Sequence, residues 1–127
     1  TIFADSSFEI ALLKTQDTKR VDLVLIGADA LVKKGIINKI GSGAISEIAY
    51  HHRIPVYIVA DSWKYTPKKV SLEQRNLNEI WNRAPKNVKV KNPAFEFVSK
   101  KYIRAIVSEL GILSYDKFLK KIRKVGK

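Results

Sequence analysis

The sequence predicts an α/β fold in which helices flank a mostly parallel sheet. Apolar runs of strand length alternate with helix-like segments through the first sixty residues. The clearest case is the stretch from residue 21 to residue 64, where two apolar runs enclose a segment with helical periodicity. A strand, a helix and a second strand of this combined length form a βαβ unit with parallel strands and a right-handed crossover.

Composition narrows the class of protein. At 127 residues, with 46% hydrophobic and 28% charged residues, the chain is expected to form one globular domain. Cysteine is absent, which excludes disulfides and a cysteine nucleophile within these residues and fits a reducing, cytoplasmic setting. No apolar run approaches the ~20 residues that cross a bilayer, so we expect no membrane partner. Methionine is also absent and the chain begins TIFAD, so we expect a fragment of a longer protein.

The first forty residues predict two strands, a helix and a hairpin. Residues 1–4 read as a strand, and the oxygens of Asp5, Ser6 and Ser7 can cap a helix that runs to about Lys14. The apolar run over residues 21–26 predicts a strand that is buried on both faces. Residues 30–40 predict a small hairpin or a folded loop with a basic tip.

A helix and a buried strand follow. The helix is expected to end near Arg53, ahead of Pro55. Its apolar face comprises Ala44, Ile45, Ile48, Ala49 and His52. Adjacent helical residues point about 100° apart, so His51 and His52 do not form a metal site, and we expect one to pack and one to be exposed. Residues 55–60 predict the strand, which ends in Asp61.

The second half is less regular. Residues 65–75 contain a proline and three basic residues and predict an exposed loop or flap. Residues 88–90 predict a short strand, and Phe95 and Phe97 then alternate with Glu96. Ser99 can cap a further helix that ends at Gly111 in a left-handed cap. The apolar residues that recur at helical spacing in it are Tyr102, Ile103, Ile106, Val107 and Leu110.

The last segment predicts a basic amphipathic helix. Its apolar stripe comprises Tyr115, Phe118, Leu119, Ile122 and Val125. We expect a domain over residues 1–113 and an extension over residues 114–127. The extension could pack on the domain with a solvated basic face, contact RNA or a partner protein, or lie on a membrane surface.

Charge is distributed unevenly along the chain. The net charge is +12, and residues 61–127 carry seventeen basic residues against six acids. Such asymmetry favours an anionic partner, which could be RNA, a phosphorylated ligand or an acidic protein. A lysine-rich surface that serves solubility or growth at high temperature explains the charge equally well.

A glycine-containing loop is the first candidate for ligand binding. Lys39 lies just before Gly41, Ser42 and Gly43, at the predicted start of a helix. Free backbone N–H groups and the helix dipole favour a phosphate at that position. The glycine spacing does not match a dinucleotide fingerprint, because a third glycine would be needed at Ser46.

Polar residues at the ends of two predicted strands are the second candidate. Asp29 follows the first strand, and Asp61 to Lys64 follow the strand after the helix. Ligands gather at the carboxyl ends of strands in α/β folds. Asp29 could act as a general acid or base, or could cap a turn after Gly27. Lys64 could pair with a phosphate or be an ordinary surface lysine.

Several segments resemble one family. They are TIFADSS at the start, GADAL at 27–31, INKIGSGAIS at 37–46, IPVYIVADSWK at 54–64, NPAFEF at 92–97 and YIRAIVSELGIL at 102–113. They resemble the C-terminal domain shared by the alpha, beta and delta regulatory subunits of translation initiation factor 2B, ribose-1,5-bisphosphate isomerase and methylthioribose-1-phosphate isomerase. The resemblance implies a Rossmann-like domain that commonly mediates dimerisation. It also implies that a helical N-terminal domain and the first part of the Rossmann-like domain precede this chain.

The resemblance also implies roles for individual residues. In the isomerases an upstream cysteine acts together with the aspartate that matches Asp29. Asn38 and Lys39 match a pair that holds the substrate, and Gly41 and Ser42 fall in the same phosphate-binding segment. Lys64 matches a lysine of the initiation-factor and ribose-bisphosphate branches. No metal or organic cofactor is implied.

Three departures from the family pattern stand out. The segment between Asp29 and Asn38 is one residue short near Gly35, Ser42 replaces the usual threonine, and the cysteine is absent.

The sequence therefore leaves three functions open. The first is a regulatory subunit in translation initiation that binds initiation factor 2 or sister subunits in a homo- or hetero-oligomer and holds a sugar phosphate or nucleotide. The second is part of an isomerase for ribose 1,5-bisphosphate or a related phosphosugar. The third, which rests on charge alone, is nucleic-acid binding. We do not expect the 127 residues alone to isomerise a sugar.

Overall fold

Two sheets form the framework of the chain. A computed structural model describes residues 2–13 and 19–126. The first sheet contains β1 (Val24–Gly27), β4 (Val56–Val59), β6 (Ala105–Ser108) and β7 (Gly111–Leu113), in that order. The second contains β2 (Ala30–Val32), β3 (Gly35–Lys39) and β5 (Phe95–Ser99). The first three strands of the first sheet are parallel, whereas β7 and the whole second sheet pair antiparallel. The α/β prediction is confirmed, with a mixed sheet.

Helices connect and cover the strands. They are α1 (Phe8–Leu12), α2 (Ser42–His51), α3 (Asn78–Trp81) and α4 (Tyr115–Lys124). Three short 3₁₀ turns span Asp5–Ser7, Ser62–Lys64 and Lys100–Tyr102. The βαβ prediction is confirmed, because β1 pairs in parallel with β4 after α2. The hairpin prediction is also confirmed: β2 and β3 join through a two-residue turn at Lys33 and Lys34.

The final helix belongs to the same core as the sheets. Phe118 and Ile122 of α4 are wholly buried together with Ile58 of β4 and Ile106 of β6. Burial of each such side chain contributes about 1.5–3 kcal/mol. The amphipathic prediction for α4 is confirmed, except that Val125 is 61% exposed.

The prediction that β1 is buried on both faces is wrong for the described chain. Leu25 of β1 is 62% exposed, and Val59 of β4 is 47% exposed. Val56 and Ile58 leave β4 on the opposite side from Val59 and are buried, so in the described residues the first sheet has one covered and one open face. A continuous apolar run does not show whether both faces of a strand are covered.

The predicted helix between Ser99 and Gly111 is also wrong. The segment instead forms the 3₁₀ turn Lys100–Tyr102, then β6, then β7. Isoleucine and valine at the centre of this run favour a strand, and β6 lies between β4 and β7 with Ile106 buried and Val107 half-buried. Ser99 caps the 3₁₀ turn, since its Oγ accepts a hydrogen bond from the Lys101 N–H at 3.4 Å. Gly111 has a positive φ of 108°, as a left-handed cap requires, but it is the first residue of β7 and ends no helix.

Smaller differences concern the ends of elements. Residues 2–4 and 88–90 form no strand. The first helix ends at Leu12, and Lys14 lies outside the described residues. Ser7 precedes α1 without a side-chain cap. His51 and His52 are both exposed, since the buried stripe of α2 runs through Ser42, Ser46 and Ala49.

Candidate functional site

Asp29 lies exposed at the carboxyl end of β1. Its backbone N–H donates to the Ile37 carbonyl at 2.9 Å. Ala30 and Ile37 are the last paired residues at this end of the hairpin, so Asp29 and Asn38 are the next residues along the two strands. Asp29 also lines a cleft of about 190 Å³ that includes Ile37 and Phe95. The fold therefore brings the backbones of Asp29 and Asn38 to the same end of the hairpin.

Lys64 reaches the same edge from the end of β4. Its Nζ donates to the carbonyl oxygen of Ala28 at 2.7 Å, which places the ammonium group beside the backbone of Asp29. Asp61 has a structural task, because its Oδ1 accepts from the Trp63 N–H at 2.8 Å and caps the 3₁₀ turn. Of these two side chains, Lys64 is thus the one that contacts the residues following β1.

Asn38 and Ser42 form a short hydrogen-bonded chain. Asn38 Nδ2 donates to Ser42 Oγ at 2.8 Å, and Ser42 Oγ donates to the Lys39 carbonyl at 2.7 Å. Ser42 is buried, so this chain fixes the turn from β3 into α2. The hydroxyl that serine shares with threonine is the group that this turn uses.

Glu96 fills the anion position at the start of α2. Its Oε1 accepts from the backbone N–H groups of Gly41 and Gly43, both at 2.8 Å. A Cβ on Gly43 would lie 2.9 Å from Glu96 Oε2, so a larger residue there would displace the carboxylate. The loop does bind an anion, as its chemistry predicts, but in this structure the anion is a carboxylate of the protein.

Lys39 lies on the other side of the hairpin from Asn38. Successive side chains of a strand leave opposite faces, and the register pairs Lys39 with Phe95 and Asn38 with Glu96. Phe95 also lines the cleft of Asp29. Lys39 and Phe95 therefore share one face of the second sheet, whereas Asn38 and Glu96 share the other.

Two acids of this region were not recognised as functional from the sequence. Glu96 was visible only as an acid between two phenylalanines. Glu109 lies in the β6–β7 turn, and its Oε2 accepts from the N–H of the buried Ser62 at 3.0 Å. Strand pairing brings Glu96 near the carboxyl end of β3 and Glu109 near the carboxyl end of β4. The spacing of these residues along the sequence does not reveal their positions.

Tyr115 and Gly35 fix the shape of the hairpin. The Tyr115 hydroxyl contacts the carbonyl oxygens of Val32, at 2.8 Å, and of Gly35. Burial raises the pKa of this phenol. A Cβ on Gly35 would overlap the carbonyl oxygen of Val98 in β5. The hairpin that carries Asp29 and Asn38 is thus held from two sides.

Metal and membrane signals are absent from the part of the chain that the structure describes. No group of three His, Cys, Asp or Glu side chains in residues 2–13 and 19–126 could hold a metal ion. Within the same residues, every helix is too short or too polar to cross a bilayer.

Known proteins similar to this chain fall into two functional groups. Ribose 1,5-bisphosphate isomerase from Methanocaldococcus jannaschii is 36% identical over 103 residues, which are 75% of this chain and 33% of that protein. Methylthioribose-1-phosphate isomerase from Koribacter versatilis is 36% identical over 117 residues, or 81% of this chain and 33% of that protein. The chain therefore spans about a third of the length of the curated relatives it matches.

Solved structures add the second group. The delta subunit of translation initiation factor 2B from Archaeoglobus fulgidus superposes with a TM-score of 0.80 at 32% identity, over 98% of this chain and 38% of that one. The 5-methylthioribose 1-phosphate isomerase from Pyrococcus horikoshii superposes with a TM-score of 0.77 at 26% identity, over 98% of this chain and 37% of that one. The sequence profile of the Initiation factor 2 subunit family matches residues 1–115. This chain belongs to that family.

Proposed function

We propose that the full-length protein containing this chain is an aldose–ketose isomerase for a phosphorylated pentose. One observation carries the proposal: the exposed Asp29 follows β1 at its carboxyl end, and the amine of Lys64 is bonded to the carbonyl oxygen of the preceding residue, Ala28. The relatives named as isomerases of ribose 1,5-bisphosphate and methylthioribose 1-phosphate support this substrate class.

The reaction needs a group that moves a proton between neighbouring carbons. In a cyclic aldose 1-phosphate the C2 proton leaves, the bond between C1 and the ring oxygen breaks, and C1 gains a proton. C2 is oxidised to a ketone while C1 is reduced, so the electrons balance within the sugar. We assign the transfer from C2 to C1 to the Asp29 carboxylate. A second acid, which we expect in the part of the protein outside this chain, gives a proton to the ring oxygen and takes up the proton of the C2 hydroxyl, so that the acid is regenerated.

Cations rather than the loop N–H groups hold the phosphate in this proposal. Glu96 already accepts the N–H groups of Gly41 and Gly43, so a phosphate there would meet a carboxylate. Lys39 and Lys64 carry charges to the edge on which Asp29 lies. Two ammonium groups attract a dianionic phosphate, whereas a carboxylate repels it. The position between Lys39 and Lys64 is therefore the more favourable one.

Turnover by the full-length protein tests the proposal. Asp29→Asn should lower kcat on ribose 1,5-bisphosphate or methylthioribose 1-phosphate by about 10²–10⁴-fold, which is the usual loss when a general base is removed. Asp22→Asn is the matched control, because Asp22 is exposed ahead of β1, at the opposite end of that strand. Wild-type turnover that survives in Asp29→Asn would overturn the assignment.

A regulatory subunit is the second candidate. It is favoured by the protein carboxylate that occupies the loop N–H groups and by the similarity to the delta subunit from Archaeoglobus fulgidus. A subunit of this kind would retain initiation factor 2 on an affinity matrix at moderate salt and would turn over neither sugar phosphate. Retention without turnover would replace the isomerase by this function.

A further inference from the structure

Two clefts meet at Lys101, away from the carboxyl edge. One, of about 690 Å³, lies between the tip of the β2–β3 hairpin, the 3₁₀ turn Lys100–Tyr102 and α4. The other, of about 600 Å³, lies at the amino ends of β4 and β6. Asp29 is at the open end of the hairpin and at the carboxyl ends of the strands. The two clefts are therefore separate from the proposed sugar-phosphate site.

The first cleft is strongly basic. The cations that line it are Lys33, Lys34, Lys100, Lys101, Lys120 and Arg123. Asp116 is the one acid among its described lining residues, and it is bonded to Lys100 Nζ at 2.7 Å. This ion pair holds the Asp116 pKa below its usual range. The cleft keeps a large excess of positive charge, which attracts a polyanion.

Helix α4 holds part of this charge in a fixed direction. Asp116, Lys120 and Arg123 follow one stripe of the helix, at spacings of four and three residues. The opposite stripe contains the wholly buried Phe118 and Ile122. Because the core sets the rotation of α4, its cations face the cleft in the folded protein.

The second cleft adds aromatic rings. Tyr50 is 51% exposed and contacts Tyr102 edge to face, with ring centroids 5.4 Å apart. Lys101 Nζ lies 4.8 Å from the centroid of the Tyr102 ring, so that ring already has a cation on it. Arg53 and Arg104 line the same cleft. The half-exposed ring of Tyr50 is thus available to a planar group next to a row of cations.

We propose that the two clefts form one binding surface for single-stranded nucleic acid. Backbone phosphates follow the cations of the first cleft, and an unpaired base stacks on Tyr50 in the second. Cationic grooves with stacking aromatics bind single strands in this way. An acidic protein segment would use the cations without needing Tyr50, and a duplex has no free base to stack.

Fluorescence anisotropy with the full-length protein and labelled 12-nucleotide oligo(U) or oligo(dT) tests this inference. Lys120→Glu should weaken binding about tenfold at 0.1 M salt and flatten the salt dependence, since each phosphate contact contributes a slope of about −0.7. Tyr50→Ala should weaken binding about tenfold through lost stacking, and Tyr50→Phe should restore it. Lys89→Glu makes the same charge change outside both clefts and should change affinity less than about twofold. Comparison of oligo(U) with oligo(dU), which differ only in the 2′-hydroxyl, shows whether that group contributes.

Three results would overturn the inference. Equal losses of affinity in Lys120→Glu and Lys89→Glu would show that the net charge of the protein, and not the first cleft, determines binding. Full affinity in Tyr50→Ala would exclude base stacking. Displacement of the oligonucleotide by polyglutamate at the same phosphate-to-carboxylate ratio would point to an acidic protein instead. Isomerase turnover is independent of all three results, because Asp29 lies at the other end of the strands.

Discussion

Replacing Glu96 tests how the start of α2 is held. Gly41 precedes the helix with a φ of 104° and offers no side-chain cap, so the carboxylate of β5 supplies the acceptor instead. Hydrogen bonds to charged groups contribute about 1.5–3 kcal/mol each. Glu96 is half-buried, and the freed N–H groups of Gly41 and Gly43 can bind water. We therefore expect Glu96→Ala to lower the free energy of unfolding by about 3 kcal/mol, the low end for two such bonds.

Urea unfolding followed by circular dichroism measures this loss. Glu96→Gln keeps a neutral acceptor and should lose about 1 kcal/mol, because only the charge of the hydrogen bonds disappears. Glu47→Ala is a suitable control. Glu47 is exposed on α2, and its contact with the exposed His51 is long, at 3.8 Å. Millimolar phosphate should stabilise Glu96→Ala more than the wild type, because the vacated N–H groups bind an anion. An unchanged unfolding midpoint in Glu96→Ala, or equal stabilisation by phosphate, would refute this account of the turn.

Two further predictions concern the β2–β3 hairpin. Gly35→Ala should lower the free energy of unfolding by about 2–3 kcal/mol in the same urea experiment, because the new Cβ would overlap the Val98 carbonyl. Gly27→Ala is the control. Its new Cβ has no atom within 4 Å, so the free energy of unfolding should change by less than about 0.5 kcal/mol. The second concerns Tyr115. At high pH its buried phenol keeps its proton in the folded protein because burial raises its pKa, whereas the same phenol ionises in the unfolded chain. Above pH 10 the wild type should therefore lose about 1.4 kcal/mol more per pH unit than Tyr115→Phe. Parallel pH profiles of the two proteins would contradict it.

Much of the framework could be predicted because short-range patterns determine it. The βαβ unit, the hairpin with its basic tip and the amphipathic α4 all follow from periodicity and turn residues. The segment after Ser99 shows where periodicity fails. Ile103, Ile106 and Val107 fit a helical stripe as well as a strand, and the partners β4 and β7 decide between them. Those partners are distant along the chain or come after the segment, so the pattern alone could not show them.

The candidate site was predictable only in part. Asp29 and Lys64 could be placed at one edge because strands of a parallel sheet end together, whereas Asn38 was named only by the resemblance to the family. The position of the Glu96 carboxylate at the start of α2 could not be predicted, because it depends on the register of β5 with β3. The open face of β1 was missed for a similar reason. Burial of Leu25 depends on what covers the sheet, and an apolar sequence carries no information about that.

Hydrogen–deuterium exchange of the full-length protein tests the central claim most directly. The claim is that Asp29, Lys39 and Lys64 bind a phosphorylated pentose at the carboxyl ends of β1, β3 and β4. Saturating ribose 1,5-bisphosphate or methylthioribose 1-phosphate should slow exchange in peptides that cover residues 28–42 and 60–66. Exchange at the Tyr50 and Lys101 clefts should stay unchanged. Protection confined to those clefts, or no protection at the carboxyl edge with either sugar, would contradict the account.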